Sequence, residues 1–157
     1  MSLTARQLER FVERLAADPS RWVAHVNHDA TRTYELIHED EHVNAWLICW
    51  SEDADTGFHD HDLSAAAIHV LDGQVREDRL RIGGPPIART LGPRSTFSVP
   101  PTAIHRVLHG GGGPAVTIHA YSPPLTRTGA YWIGPDGDLQ RVSQCHDQEL
   151  RELQGTP

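Results

Sequence analysis

Two histidines one residue apart, His59 and His61 in the stretch Gly57-Phe58-His59-Asp60-His61-Asp62, are the strongest chemical signal in this chain. Side chains of an extended strand alternate between its faces, so both imidazoles point one way and Asp60 the other. Such a pair is either two structural histidines or a metal-ligand arrangement that needs a further ligand. His105 is placed to supply it. It follows the strand-breaking Pro100-Pro101 and opens a second apolar run, Ile104-His105-Arg106-Val107-Leu108, and a small barrel can bring the start of such a strand to the same cavity. Three neutral imidazoles suit Zn, Fe, Ni or Cu, so the ligands by themselves do not name the metal. A second polar group stands on the run from Ala115 to Tyr121, where the two-residue period puts Thr117, His119 and Tyr121 on one face.

The elements that must position these residues are mostly short strands. Residues 4–17 form the exception, an amphipathic helix with Thr4 as N-cap, Gln7 as its capping-box partner and Leu8, Phe11, Val12 and Leu15 along one stripe. Asp18-Pro19 ends it, and residues 21–26 read as a connector. From Thr31 the pattern turns to strands: 32–37 and 43–50 form a hairpin around the acidic turn His38 to His42. Ala66 to Leu71 and Gln74 to Ile82 flank Asp72-Gly73, a dipeptide that predicts a second hairpin. Gly83-Gly84-Pro85-Pro86, Gly92-Pro93-Arg94 and Gly110 to Gly113 separate the strands that follow, and Pro123-Pro124 stops the last core strand. Turns at this spacing predict an all-β sandwich or small barrel. Beyond Tyr131, a Pro135-Asp136-Gly137 turn leads into a polar, weakly helical tail.

Composition narrows the function. A chain of 157 residues fits one domain, and a formal charge of −7 without a clustered basic face argues against nucleic acid and anionic membranes as partners. A small molecule is the expected partner, and the protein is expected to be a monomer or small homo-oligomer. All 14 basic residues are arginine, which removes lysine Schiff-base chemistry and leaves bidentate recognition of a carboxylate. Cys49 and Cys145 suggest neither a disulfide framework nor a zinc knuckle. No secretion-like N-terminal pattern and no membrane-length apolar run is present, so a cytoplasmic protein is expected.

The spacing from His59 and His61 through Ala66 to Gly73, with Pro100 and His105 beyond, resembles the two metal motifs of the cupin superfamily. Within that superfamily, Trp50, His59-Asp60-His61, His105-Arg106-Val107 and Thr117-Ile118-His119-Ala120-Tyr121-Ser122-Pro123-Pro124 resemble thiol dioxygenases of the cysteine dioxygenase type over roughly residues 34 to 125. The resemblance implies a small cupin barrel, a double-stranded β-helix or jelly roll, over about residues 31–133 of a single domain spanning 1–157, with the N-terminal helix before it and the polar tail after it. It implies a non-haem Fe(II) enzyme that inserts dioxygen into a small thiol, cysteine or a mercapto-carboxylate, to give a sulfinic acid.

Carried over by position, the resemblance makes His59, His61 and His105 the iron ligands and Thr117, His119 and Tyr121 a hydroxyl-imidazole-phenol relay. Cupins commonly place a glutamate ligand where this chain has Ala66, and its absence favours an anionic thiolate at the metal. Mammalian members carry a cysteine there that crosslinks to the relay tyrosine, so Tyr121 is expected to stay a free phenol. The early-strand arginine that fixes the substrate carboxylate falls at about Tyr34 here, with Arg32 two residues earlier on the same face; both are candidate substrate contacts, with Arg106 and Arg127 as alternatives. Two other readings compete: a non-catalytic cupin that senses a ligand or metal, and a cupin enzyme that uses Ni, Mn or Zn.

Overall fold

The computed structural model describes residues 1–29 and 31–145. It opens with helix α1 (Ala5–Ala16), whose capping box forms as its sequence predicts: the Gln7 amide donates to Thr4 Oγ1 at 3.3 Å and Gln7 Oε1 accepts from the Thr4 amide at 2.9 Å. Two short 3₁₀ turns, Pro19–Arg21 and Val23–His25, make the connector. Eleven strands follow: β1 (Thr33–Glu39), β2 (Asn44–Trp50), β3 (His59–Asp60), β4 (Ala65–Asp72), β5 (Val75–Arg79), β6 (Ile87–Leu91), β7 (Thr96–Val99), β8 (His105–His109), β9 (Ala115–Ser122), β10 (Arg127–Ile133) and β11 (Leu139–Cys145).

These strands build two facing antiparallel sheets. One has the order β1-β2-β9-β4-β7 and the other β11-β10-β3-β8-β5-β6. The architecture is the all-β cupin barrel with an N-terminal helix. The first sheet is covered on both sides. Its inner face contributes Trp46, Ile48, Trp50, Ala66, Ile68, Val70 and Tyr121 to the barrel core, and its outer face packs Leu47, Ala67, Val116 and Ile118 against Leu8, Val12 and Leu15 of α1. Double coverage explains why every residue of β2 and β9 is buried and why β2 reads as a continuous apolar run rather than an alternation. Each of the buried helix leucines contributes roughly 1.5–3 kcal/mol through the surface it removes from water.

Two expectations change. Asp72-Gly73 does not close a hairpin, because β4 already has β9 and β7 as neighbours while β5 pairs with β6 and β8. The chain crosses there from one sheet to the other. Gly73 adopts φ +68° and backs onto Pro114 and Ala115, leaving no space for a Cβ. The polar segment after Pro135-Asp136-Gly137 is also not helical through residue 145. It forms β11, an edge strand in register with the whole of β10, from Arg127 opposite Cys145 to Ile133 opposite Leu139. The remainder of the predicted tail lies outside the described residues. Among the described residues no helix is long and apolar enough to cross a membrane.

Candidate metal centre

The His-Asp-His stretch does not end a long apolar strand. It forms β3, two residues held between β8 and β10, with His59 directly opposite His105 and Asp60 opposite Gly129. That register alone brings His59 and His105 face to face, and His61 follows on the same side. All three imidazoles are buried. His61 Nε2 lies 3.1 Å from His59 Nε2 and 3.4 Å from His105 Nε2. The three rings pack with centroids 4.7 to 5.0 Å apart.

The donor chemistry fits a metal. His59 Nδ1 lies 3.0 Å from the Gly57 carbonyl oxygen and His105 Nδ1 lies 3.1 Å from Glu77 Oε1; both oxygens can only accept, so each Nδ1 carries the proton. A neutral imidazole has one N–H, so both Nε2 atoms turn lone pairs toward the shared centre. Two nitrogens bound at about 2.1 Å to one ion, subtending roughly 95–110°, stand about 3.1–3.4 Å apart, which matches the observed separations. His59, His61 and His105 are the three residues that can hold an ion together among the described residues.

Asp60 points to the opposite face, where its carboxylate fastens β3 to the β10–β11 hairpin. It accepts from Tyr131 Oη at 2.6 Å, from Arg141 Nε at 2.8 Å and Nη2 at 3.0 Å, and from the Gly129 amide at 3.2 Å. Burial acts to raise its pKa, but the bonds from Arg141 and Tyr131 outweigh burial and hold the carboxyl well below the usual range. Arg141 reaches Asp60 by lying across Gly129, where a Cβ would collide with the guanidinium. Sequence reading assigned Asp60 only to the far face; its partners on β10 and β11 lie 69 to 81 residues away, and no local pattern announces them.

Across the barrel interior, β9 presents Thr117, His119 and Tyr121 on its inner face, all buried. The Tyr121 ring stands edge-on to His61 with centroids 5.0 Å apart, and Tyr121 Oη lies 3.3 Å from His119 Nδ1. Thr117 Oγ1 accepts from Trp50 Nε1 at 2.9 Å, and the Trp50 ring lies 6.0 Å from that of His119. Ala66 is directly opposite Tyr121 in the β4–β9 register, so the nearest cross-strand side chain on that side is a methyl group.

Arg32 and Tyr34 both face inward from the edge of the first sheet. Arg32 is buried, with its guanidinium 5.6 Å from the centroid of Trp50. Tyr34 is half-buried and packs edge-on to Trp46 at 6.2 Å. The alternatives lie elsewhere: Arg106 points out of the barrel to Asp78 and Phe58, and Arg127 is exposed on the hairpin beside Ser143. Glu77, behind His105, is a residue that the sequence reading placed only within the strand Gln74 to Ile82, where nothing local ties its carboxylate to a histidine 28 residues away.

Comparison with known proteins gives the family and the fold. The model of the family described as cysteine dioxygenase type I matches residues 3–91, more than half of the chain and inclusive of His59 and His61. A protein of Danio rerio, cysteine dioxygenase type 1, is 26% identical over 136 residues, covering 79% of this chain and 68% of its own length. Among solved structures, a protein of Bacillus halodurans superposes with a TM-score of 0.58 at 16% identity over 78% of this chain and 86% of that one. A cupin superfamily protein of Desulfitobacterium hafniense gives a TM-score of 0.55 at 12% identity over 65% and 87%. At those identities the structural likenesses establish the fold alone.

Proposed function

The chain belongs to the cysteine dioxygenase type I family and is a thiol dioxygenase, and we propose that it is a non-haem Fe(II) enzyme acting on a small thiol that carries a carboxylate, cysteine or a mercapto-carboxylate. Both atoms of dioxygen enter the substrate, so a thiol R–SH becomes a sulfinic acid R–SO2H with no other co-substrate. The observation that carries the reading is the convergence of three buried imidazoles, two with their Nε2 lone pairs fixed inward, beside a buried phenol. Bound iron would supply the redox-active position at which thiolate and dioxygen meet.

The chain's own residues do the rest. His59, His61 and His105 hold the ion as neutral ligands. With Ala66 where a carboxylate would neutralise charge, the site favours deprotonation of the incoming thiol. Tyr121 keeps an uncrosslinked phenol, and His119 Nδ1 orients its hydroxyl so that the proton is available to the reacting oxygen and sulfur atoms. Trp50 fixes the Thr117 hydroxyl and thereby the wall on which His119 stands. Arg32, buried beside Trp50, is the residue we assign to the substrate carboxylate, with Tyr34 supplying a neutral hydrogen bond. The 157 residues act as one cupin domain, as a monomer or small homo-oligomer, and both cysteines are free thiols, in keeping with a cytoplasmic enzyme.

The test is oxygen uptake by anaerobically iron-loaded protein offered cysteine, 3-mercaptopropionate and cysteamine in turn. One dioxygen consumed per sulfinate formed, with the carboxylate-bearing thiols preferred and Arg32→Ala removing that preference, is the expected result. Full iron occupancy without uptake on any thiol would leave a sensing cupin as the better reading.

A further inference from the structure

Glu77 is a buried carboxylate to which the proposed reaction gives no task. It stands mid-strand on β5 facing the barrel interior, and both its oxygens are engaged. Oε1 accepts from Arg79 Nη2 at 2.7 Å and from His105 Nδ1 at 3.1 Å, while Oε2 accepts from Arg89 Nε at 2.7 Å. Two arginines are sufficient to compensate a buried carboxylate. The third bond, to His105, is not needed for neutralisation and has a separate consequence.

An ionised carboxylate only accepts, so it holds His105 as the Nδ1–H tautomer and turns the Nε2 lone pair toward His61. The carboxylate itself cannot swing away. Arg79 lies directly opposite His105 in the β5–β8 register and is tied to the Ser98 carbonyl at 3.1 Å, and Arg89 lies over the Phe97 ring at 4.6 Å. Strands β5, β6, β7 and β8 thus share one clamp. His59 differs, because its Nδ1 donates to the uncharged carbonyl of Gly57.

We propose that Glu77 is a positioning residue of the metal centre: it fixes the tautomer and aim of His105 and strengthens it as a donor, returning from behind the ligand part of the negative charge absent at Ala66. This rests on the metal-centre reading above. Carboxylates that accept the second N–H of a ligating histidine typically change metal affinity by about 10–100-fold. Asp78, the next residue, is the built-in comparator. It is equally buried and paired, to Arg76 at 2.7 Å and Arg106 at 3.0 Å, but on the strand face that points away from the histidines.

The experiment is equilibrium binding of Co(II), measured by chelator competition and by the visible ligand-field spectrum, in wild type, Glu77→Gln and Asp78→Asn. Glu77→Gln keeps the side chain's shape but removes its charge; it should bind about 10–100-fold more weakly with a shifted spectrum. Asp78→Asn should keep the wild-type affinity and spectrum. Wild-type affinity in Glu77→Gln, or an equal loss in Asp78→Asn, would overturn the assignment of Glu77 while leaving the metal centre standing. Wild-type protein that takes up no metal would overturn both. Should Glu77→Gln fail to fold, the imidazole ¹⁵N spectrum of zinc-loaded wild type decides: a protonated Nδ1 and metal-bound Nε2 at His105 support the proposal, and the reverse assignment overturns it.

Discussion

The two sheets of this barrel divide the work and are held together by different forces. The sheet β1-β2-β9-β4-β7, which carries Arg32 at its edge, Trp50 and the Thr117-His119-Tyr121 face, is fixed by apolar burial on both sides, with α1 as its outer cover. The sheet β11-β10-β3-β8-β5-β6, which carries His59 and His105 with His61 directly after β3, has no such helical cover among the described residues. Its strands are tied by carboxylate–arginine pairs, Asp60 to Arg141, Glu77 to Arg89 and Asp78 to Arg106, with Arg79 and Arg76 completing the pairing of Glu77 and Asp78 from within β5. Hydrophobic burial is non-directional, whereas these bonds are directional. The metal-holding wall therefore gains its geometry from charge pairs, of which the one at Glu77 also reaches a ligand, and the opposite wall gains its rigidity from packing, which meets the ligands where the Tyr121 ring stands edge-on to His61.

If that division is right, damage to each sheet should have a different signature. The largest stability effect should come from Leu8→Ala in α1, a fully buried side chain in the outer core; it should cost roughly 2–5 kcal/mol in denaturant unfolding yet leave metal affinity unchanged. Asp60→Asn should cost less, about 1–3 kcal/mol, because its partners remain partly exposed, but should also weaken metal binding as the β3 ligands loosen. Leu8→Ala lowering metal affinity as much as Asp60→Asn would break the comparison.

The same substitution has a pH signature. The Asp60 carboxyl lies below its ordinary value of 3.8 in the folded protein, so its contribution is fully present above that value and is lost as pH falls through the lower folded value. The stability gap between wild type and Asp60→Asn should be constant near neutrality and shrink only in acid below the ordinary carboxylate pKa. A gap that closes near pH 7 would assign the effect to another group. The smallest effect belongs to Trp50→Phe, which keeps most of the ring and removes the bond to Thr117. We expect a loss of about 0.5–1.5 kcal/mol, unaltered metal binding and slower turnover, checked by unfolding and oxygen uptake on the same preparation.

Much of this arrangement is legible in the sequence where the signal is local. Period-two alternation suffices to put His59 with His61, and Thr117 with His119 and Tyr121, on shared faces. The capping box of α1 and the β1–β2 hairpin follow from neighbouring residues. What depends on strand order is not legible. Asp72-Gly73 has the composition of a hairpin turn, but which sheet receives the next strand is decided by the neighbours β4 already has. Asp60 and Glu77 look like ordinary surface acids because Arg141 and Arg89 arrive from other strands, Arg141 from a segment whose polarity suggested a weakly helical tail. Sequence reading therefore locates candidate ligands better than the groups that orient them.

The central claim is that the three imidazoles form one metal centre, and iron stoichiometry tests it most directly. Anaerobic loading with Fe(II), followed by removal of free metal and elemental analysis, should give one iron per chain for wild type. His61→Ala, with an unchanged circular dichroism spectrum, should give none. Stoichiometric iron retained by His61→Ala would contradict the account.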